Sequence, residues 1–230
     1  MGETMANLNF ERAEYAQRLD GVKKRMASEG IDVLVVTEPS NMNYLTGYDA
    51  YSFYVVQAVI VALDSELPIW TGRFMDAVSA HSTTYLPADH ILPYPDNYVQ
   101  SAERHPMEFI GRIVADKGWG AKTLGVEMGA YYYTARSHAE LQKTLPDARF
   151  KDAELLVNWV RIVKSERELE YMRAAGATTD LMVEAAKNAA HPDIRECDLA
   201  SAIVEVQMKG TERFGGMPSS GAPLIMAGAR

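Results

Sequence analysis

The chain has very little cysteine. Cys197 is the single cysteine among 230 residues, so no disulfide can form within the chain, and this fits a reducing compartment. The sequence also lacks Cys-x-x-Cys and His-Glu-x-x-His motifs, and its five histidines never lie four residues apart. Because zinc and related ions are usually held by such local sets, the sequence predicts no local metal site.

Long hydrophobic runs and basic clusters are missing as well. No apolar run approaches the roughly 18 residues that a membrane-spanning helix needs, and the first residues contain no apolar signal core. The net charge is −8, and the longest basic cluster, Lys23-Lys24-Arg25, lies within a predicted amphipathic helix as a solvated face. We therefore expect a soluble, cytoplasmic protein with neither a nucleic-acid nor a membrane partner.

The composition is otherwise that of an ordinary globular protein, 47% hydrophobic and 23% charged. The length of 230 residues suits one large domain or two small ones. Up to about residue 155, helical and strand patterns alternate around one hairpin. The predicted helices lie near 15–26, 74–81, 103–117 and 134–143, and the predicted strands near 31–36, 53–63, 67–70, 91–92, 123–127 and 149–151. This pattern predicts an α/β domain with a mixed sheet and helices on its faces.

The rest of the chain has a different pattern. Ser165–Glu168 and Asp193–Glu196 each have the spacing of a capping box, in which the first side chain and the fourth cap one helix start. Each is followed by an amphipathic helix, and the second helix stops at Gly210. Pro223–Ala227 is predicted to be a single strand. Two amphipathic helices with nothing to cover their apolar faces predict an incomplete second domain.

The most informative segment is Asn41–Tyr54, which lies between two predicted core strands. It combines polar turn formers with four tyrosines. A loop of this kind on a rigid scaffold often meets a ligand or a partner. Packing of a Tyr-rich turn against its own domain is the equally balanced alternative.

Several segments of the chain resemble the creatinase/prolidase family of pita-bread enzymes. Asn41–Gly47 and Arg161–Arg173, with Pro192–Glu196 further on, match the family in order and spacing. Within the family, the branch that hydrolyses the cyclic amidine ectoine is the most similar, on Asn43–Tyr54, Tyr94–Met107, Gly125–Met128 and Leu156–Trp159. The resemblance implies a creatinase-type N-terminal domain of ribonuclease-H-like form at 1–158. It also implies a joint at 159–164 and the first helices of an incomplete pita-bread α+β domain at 165–230.

The resemblance also implies where the chemistry is found. The family's metal ligands and active-site histidine follow these helices, so we expect no catalytic residue, no metal ligand and no cofactor in this chain. A divalent metal is possible only if the missing catalytic half carries the family ligands. We expect the 230-residue chain alone to be inactive.

The family's dimers lend a loop of one N-terminal domain to the active site of the other subunit. The resemblance therefore implies a homodimer whose substrate-binding residues here are Tyr48, Tyr51, Ser52, Phe53, Tyr54 and Arg73. Val55 stands where creatinase has an arginine, which counts against creatine as the substrate. Arg73 can supply a cation instead, although a salt bridge with Asp76 at a helix start is the stronger alternative.

The implied reaction opens the cyclic amidine of ectoine to an N-acetyl-diaminobutyrate. Aromatic faces suit a delocalised cation, and a carboxylate needs a cation or a set of donors. An Xaa-Pro dipeptidase or another metallopeptidase of the family is an alternative. A non-catalytic module for substrate binding or dimerisation is a third.

Four other features receive structural interpretations. We expect Glu127 to be a buried, hydrogen-bonded acid and His105 to cap a helix. Tyr131–Tyr133 is expected to pack against a neighbouring domain. Cys197 lies beside Asp198, which disfavours a thiolate, and we expect it to be inert.

Overall fold

The computed structural model describes residues 7–50, 52, 54–215 and 223–226. The chain divides into two compact units, Met1–Val163 and Lys164–Arg230. In the described residues, no helix is both long and apolar enough to cross a membrane.

The first unit is built on one five-stranded mixed sheet with the strand order β3-β2-β1-β4-β5. The hairpin strands β2 and β3 are antiparallel to their neighbours, whereas β1, β4 and β5 run parallel. The strands are β1 Val33–Val36, β2 Ala58–Ala62, β3 Ile69–Thr71, β4 Thr123–Val126 and β5 Arg149–Asp152. The predicted α/β class and the hairpin are confirmed.

Helices cover both faces of the sheet. The helices of this unit are α1 Arg12–Glu29, α2 Pro39–Thr46, α3 Ala77–Thr83, α4 Pro106–Asp116, α5 Ala135–Thr144 and α6 Leu156–Val160. Along β1, Leu34 and Val36 join the cluster under α1, α2 and α6, while Val33 and Val35 join the cluster under α4 and α5. Successive strand residues face opposite sides of the sheet, and helices cover both sides. All four residues of β1 are therefore buried, and the strand is a continuous apolar run in the sequence.

The helix α2 corrects the prediction of a continuous loop over 41–54. Pro39 occupies the first turn, where its missing N–H costs nothing. Gly47 then ends the helix in the left-handed region at φ 83°. A side chain at Gly47 would also meet the Thr83 carbonyl oxygen and the Tyr15 hydroxyl at 2.8 Å. Only the part after Gly47 forms the predicted loop.

The second unit contains α7 Glu166–Ala189 and α8 Glu196–Lys209. The capping box at Ser165 is confirmed, because the Ser165 hydroxyl accepts the Glu168 N–H and the Glu168 carboxylate accepts the Ser165 N–H. The prediction of a second capping box, at Asp193–Glu196, is wrong. Asp193 has φ 68°, and Arg195 stands at the N-cap without a side-chain cap bond. The strand predicted over 223–227 is also wrong for its described part, since 223–226 form no strand.

Candidate functional site

The loop that follows α2 is fixed at its start by Tyr48. This side chain is only 1% exposed, and its ring packs 5.2 Å from the Trp70 ring, centre to centre. Burial, and secondarily the Asp76 carboxylate, raise the pKa of the Tyr48 phenol. The sequence predicted Tyr48 as a substrate contact, but the structure places it in the core beneath the loop, where it holds the loop from below.

Gln57 ties the end of the same loop to its start, and sequence reasoning missed it. Its Nε2 donates to the Tyr48 hydroxyl at 2.9 Å and to Asp76 Oδ2 at 2.7 Å. Its Oε1 accepts the Ser52 N–H at 3.2 Å. Gln57 is 4% exposed, so it uses three hydrogen bonds to satisfy a buried amide. A polar residue within the apolar run 53–63 was the signal that could have identified it.

Above this base, the loop presents one large exposed aromatic side chain among its described residues. Tyr54 is 60% exposed, and Ser52 is partly buried. Tyr51 and Phe53, two further predicted contacts, lie outside the described residues. The loop therefore combines a rigid polar base with an outward-facing tyrosine.

Arg73 lies beside the loop and is already paired. Its Nε and Nη2 donate to the two carboxylate oxygens of Asp96 at 2.8 and 3.2 Å. The predicted salt bridge exists, but its partner is Asp96 rather than Asp76, because Asp76 instead binds Gln57. The guanidinium hydrogen bonds lower the pKa of Asp96. A ligand carboxylate at Arg73 would have to share this guanidinium with Asp96.

Glu127 is confirmed as a buried, hydrogen-bonded acid at the end of β4. It is 2% exposed and accepts the N–H groups of Thr37 and Glu38 at 2.7 and 2.8 Å. Asn41 donates to its other oxygen at 2.7 Å. Burial raises the pKa of Glu127, against the opposing effect of these hydrogen bonds. The carboxylate thus joins the end of β1 to the end of β4.

Asn41 extends this network to the end of the first unit. Its Nδ2 also donates to Asn158 Oδ1 at 2.9 Å, and its Oδ1 accepts from Arg161 Nη1 at 2.9 Å. Each polar atom of the buried Asn41 amide therefore has a partner. The network fixes α6 and Arg161 to the parallel part of the sheet.

His105 and Tyr133 complete the predicted structural residues. His105 caps α4, as predicted, because its Nδ1 accepts the Met107 N–H at 3.2 Å. Burial and then the nearby Arg136 lower the pKa of His105. Tyr133 was predicted to pack against a neighbouring domain, but it packs into the core of its own unit and binds His138, whereas Tyr131 is exposed. Cys197 is an exposed free thiol.

The described residues contain no group of three or more His, Cys, Asp or Glu side chains that could hold a metal ion. Glu127, the buried acid among them, accepts hydrogen bonds on both carboxylate oxygens from backbone and amide donors. The described side chains therefore do not offer a set of ligands for a divalent metal.

Known proteins of similar sequence are hydrolases by name. The chain is 57% identical over 226 residues to a protein of Sinorhizobium fredii named uncharacterized hydrolase/peptidase y4tM, covering 98% of this chain and 58% of that protein. It is 43% identical over 228 residues to the ectoine hydrolase of Halomonas elongata, covering 96% of this chain and 57% of that enzyme. The chain thus spans less than three fifths of the length of these relatives.

The fold is also that of solved prolidases. The prolidase of Pyrococcus horikoshii superposes with a TM-score of 0.65 at 18% identity, over 85% of this chain and 50% of that structure. The sequence model of the creatinase/prolidase N-terminal domain matches residues 18–163, which is nearly the whole first unit. The chain therefore belongs to the creatinase/prolidase family and carries its N-terminal domain.

Proposed function

We propose that the complete protein is a hydrolase that opens the cyclic amidine of ectoine to an N-acetyl-diaminobutyrate. The observation that carries the proposal is the 43% identity to an ectoine hydrolase over nearly the entire chain. The reaction adds water across the amidine carbon and breaks one of its two C–N bonds, with a proton passing to the leaving nitrogen. The groups for that step belong to the part of the protein that follows this chain.

The contribution of this chain is a cover over the substrate. Tyr54 is exposed and close enough to Arg73 for the two groups to interact electrostatically. The buried side chains of Tyr48 and Gln57, hydrogen-bonded to each other, hold the two ends of the loop. A tyrosine face can stabilise the delocalised amidinium by about 0.5–2 kcal/mol. A loop held by a rigid base keeps such a contact in place. We propose that this cover acts across a homodimer, over the active site of the partner subunit.

A dipeptidase is the second candidate function. It is favoured by the fold, which superposes on the prolidase of Pyrococcus horikoshii. Likeness at 18% identity supports the architecture rather than the substrate, so this candidate ranks below the first. A non-catalytic binding module built from this part alone is the third.

The decisive experiment compares the complete protein with the 230-residue chain. Each is incubated with ectoine and, separately, with an Xaa-Pro dipeptide, and the products are identified by mass spectrometry. We expect the complete protein to add 18 mass units to ectoine, the mass of one water, and the short chain to leave both substrates unchanged. Dipeptide cleavage without ectoine opening would favour the dipeptidase. Turnover by the short chain would contradict the assignment of catalysis to the missing half.

A further inference from the structure

A groove on the first unit lies apart from the polar base of the loop. It has a volume of about 160 Å³ and lies between Tyr54, the turn that carries Tyr98, and the starts of α4 and α5. This is well below the roughly 300–1,000 Å³ of a drug-sized site. The groove therefore suits one small molecule rather than a peptide or a large cofactor.

Two arginines line the groove, and neither forms an ion pair with any described residue. Arg104 precedes α4 and Arg136 lies in the first turn of α5. Of the acids in their vicinity, Glu108 pairs with Arg112. Glu140 lies 3.9 Å from Lys143, and its charge also acts on His105 in the groove wall, so it offsets only part of the positive charge of the two arginines. In a chain with a net charge of −8, two free guanidinium groups on one small groove form a local positive site.

His105 also lines the groove and adds an uncharged donor. Its Nδ1 accepts the Met107 N–H, so the proton of the neutral imidazole lies on Nε2. Burial and then the neighbouring Arg136 lower the pKa of this ring, against the opposing effect of Glu140, and this favours the neutral form. A neutral Nε2–H can donate to an anionic ligand without adding to the repulsion between the two arginines.

The groove is also lined by Tyr98, an aromatic side chain that is firmly packed. Tyr98 is buried against the edges of Tyr94 and Phe109, with ring centres 6.1 and 5.8 Å away. The Arg104 guanidinium lies 5.5 Å from the Tyr98 ring centre, and Arg112 donates to the Tyr98 hydroxyl at 3.1 Å. Rigid aromatic and apolar walls favour a flat body next to the charged end of a ligand.

We propose that this groove is a binding site for a small carboxylate with a flat, apolar body. Arg104 and Arg136 hold the carboxylate, the His105 Nε2–H adds a hydrogen bond, and Tyr54 and Tyr98 contact the flat body. The site shares Tyr54 with the cover loop but goes beyond the proposed hydrolase function, because its charged groups, Arg104 and Arg136, lie outside that loop. It can be tested on the 230-residue chain, which is expected to lack catalysis.

The test titrates the ¹⁵N-labelled chain with benzoate and with benzamide, its uncharged counterpart. We expect benzoate to shift the backbone amides of 98–107 and 134–137 along a saturable curve, and benzamide to bind at least about fivefold more weakly, since it lacks the charge. Arg136→Gln and Arg104→Gln should each weaken benzoate binding by about tenfold, the loss of one charge-assisted contact.

Arg149→Gln is the matched control, because Arg149 is also exposed and forms no ion pair with any described residue, but lies on β5 outside the groove. It should leave benzoate affinity within about twofold of the original, since rim charges outside the contact act only through screened potentials. Equal binding of benzoate and benzamide would overturn the proposal. So would unchanged benzoate affinity in both groove variants, or shifts that never saturate and spread over the whole surface.

Discussion

At the residue scale, replacing the exposed Tyr54 tests whether this side chain serves substrate binding or packing. Tyr54→Ala in the complete protein should lower kcat/KM for ectoine at least about tenfold, or ~1.4 kcal/mol of transition-state binding. The melting temperature should hardly change, because a 60% exposed ring contributes little packing. Steady-state kinetics and thermal unfolding measure the two effects.

Tyr131→Ala is the control, because Tyr131 is a similarly exposed tyrosine of the same unit, and it should leave kcat/KM unaltered. Mixing Tyr54→Ala subunits with subunits inactivated in the catalytic half should restore activity if the loop acts across a dimer. A large loss of stability with normal kinetics in the folded fraction would instead assign Tyr54 to packing.

His105 provides a pH dependence of known sign. Its folded pKa is lowered, so the neutral ring is favoured in the folded state and its contribution to stability is complete above the unfolded pKa of about 6.5. That contribution is lost as the pH falls through the folded pKa. Protonation also removes the acceptor for the Met107 N–H and places a cation at the start of α4.

We therefore expect the free energy of unfolding to fall between pH 7 and pH 5 more steeply in the original chain than in His105→Asn. Asparagine keeps a capping acceptor but does not titrate. Urea titrations at several pH values measure the difference. His191→Asn, at an exposed histidine before α8, should not reduce the slope. Identical slopes for His105→Asn and the original chain would exclude the capping histidine as the cause.

At the scale of elements, the end of α2 determines where the cover loop begins. Gly47→Ala adds a Cβ in the left-handed region and within 2.8 Å of two oxygen atoms. Gly118→Ala adds one at φ 77° with no atom within 4 Å. The conformational cost of about 1–2 kcal/mol is common to both. The difference between them therefore isolates the steric cost.

We expect Gly47→Ala to lower the free energy of unfolding by at least about 1 kcal/mol more than Gly118→Ala, a typical cost of overpacking. Urea denaturation of the two variants measures it. Equal losses would show that α3 moves away to accommodate the methyl group, and that the contact between the Gly47 turn and Thr83 is loose.

At the scale of the whole molecule, the two units differ in how much of their surface they bury. In the first, β1, β2 and β4 are buried throughout, whereas α7 has no buried residue and α8 has only Gln207. Apolar burial stabilises by about 25 cal/mol per Å². The second unit alone has therefore little to resist local opening.

Native-state hydrogen exchange should show this directly. We expect amides of 168–208 to exchange at least about a hundredfold faster than those of 33–36, 58–62 and 123–126, in keeping with local rather than global opening. Sedimentation establishes that the sample is monomeric, since self-association would protect the helices. Equal protection in a monomer would contradict the prediction.

Several structural features that depend on residues close together in the sequence were predicted correctly. The caps at His105 and Ser165 and the acid Glu127 follow from neighbouring residues or from the end of a strand. The predicted capping box at Asp193 was wrong, because the backbone of Asp193 is left-handed and places this residue before the helix rather than at its N-cap. Helix α2 was missed because its polar residues, including the buried Asn41, resemble those of a loop.

Contacts between distant residues were not predictable from pattern. Gln57 binds Asp76, 19 residues away, and Arg73 binds Asp96, 23 residues away. The nearer partner, Asp76, was the natural choice for Arg73 on the sequence alone. The folded sheet brings other side chains closer, and tertiary geometry then decides which ion pair forms.

The Asn41 network also sets an order of events during synthesis. Asn41 forms its hydrogen bonds with residues that are synthesised much later: Glu127 follows it by 86 residues, and Asn158 and Arg161 follow it by 117 and 120 residues. A nascent chain emerging from the ribosome cannot complete this junction until Arg161 has been made. A chain truncated after residue 155 lacks Asn158, Arg161 and the buried side chains of α6, so it should denature at lower urea than one truncated after residue 163. The first unit can therefore complete its fold only when translation has reached its last residues, just before the second unit begins.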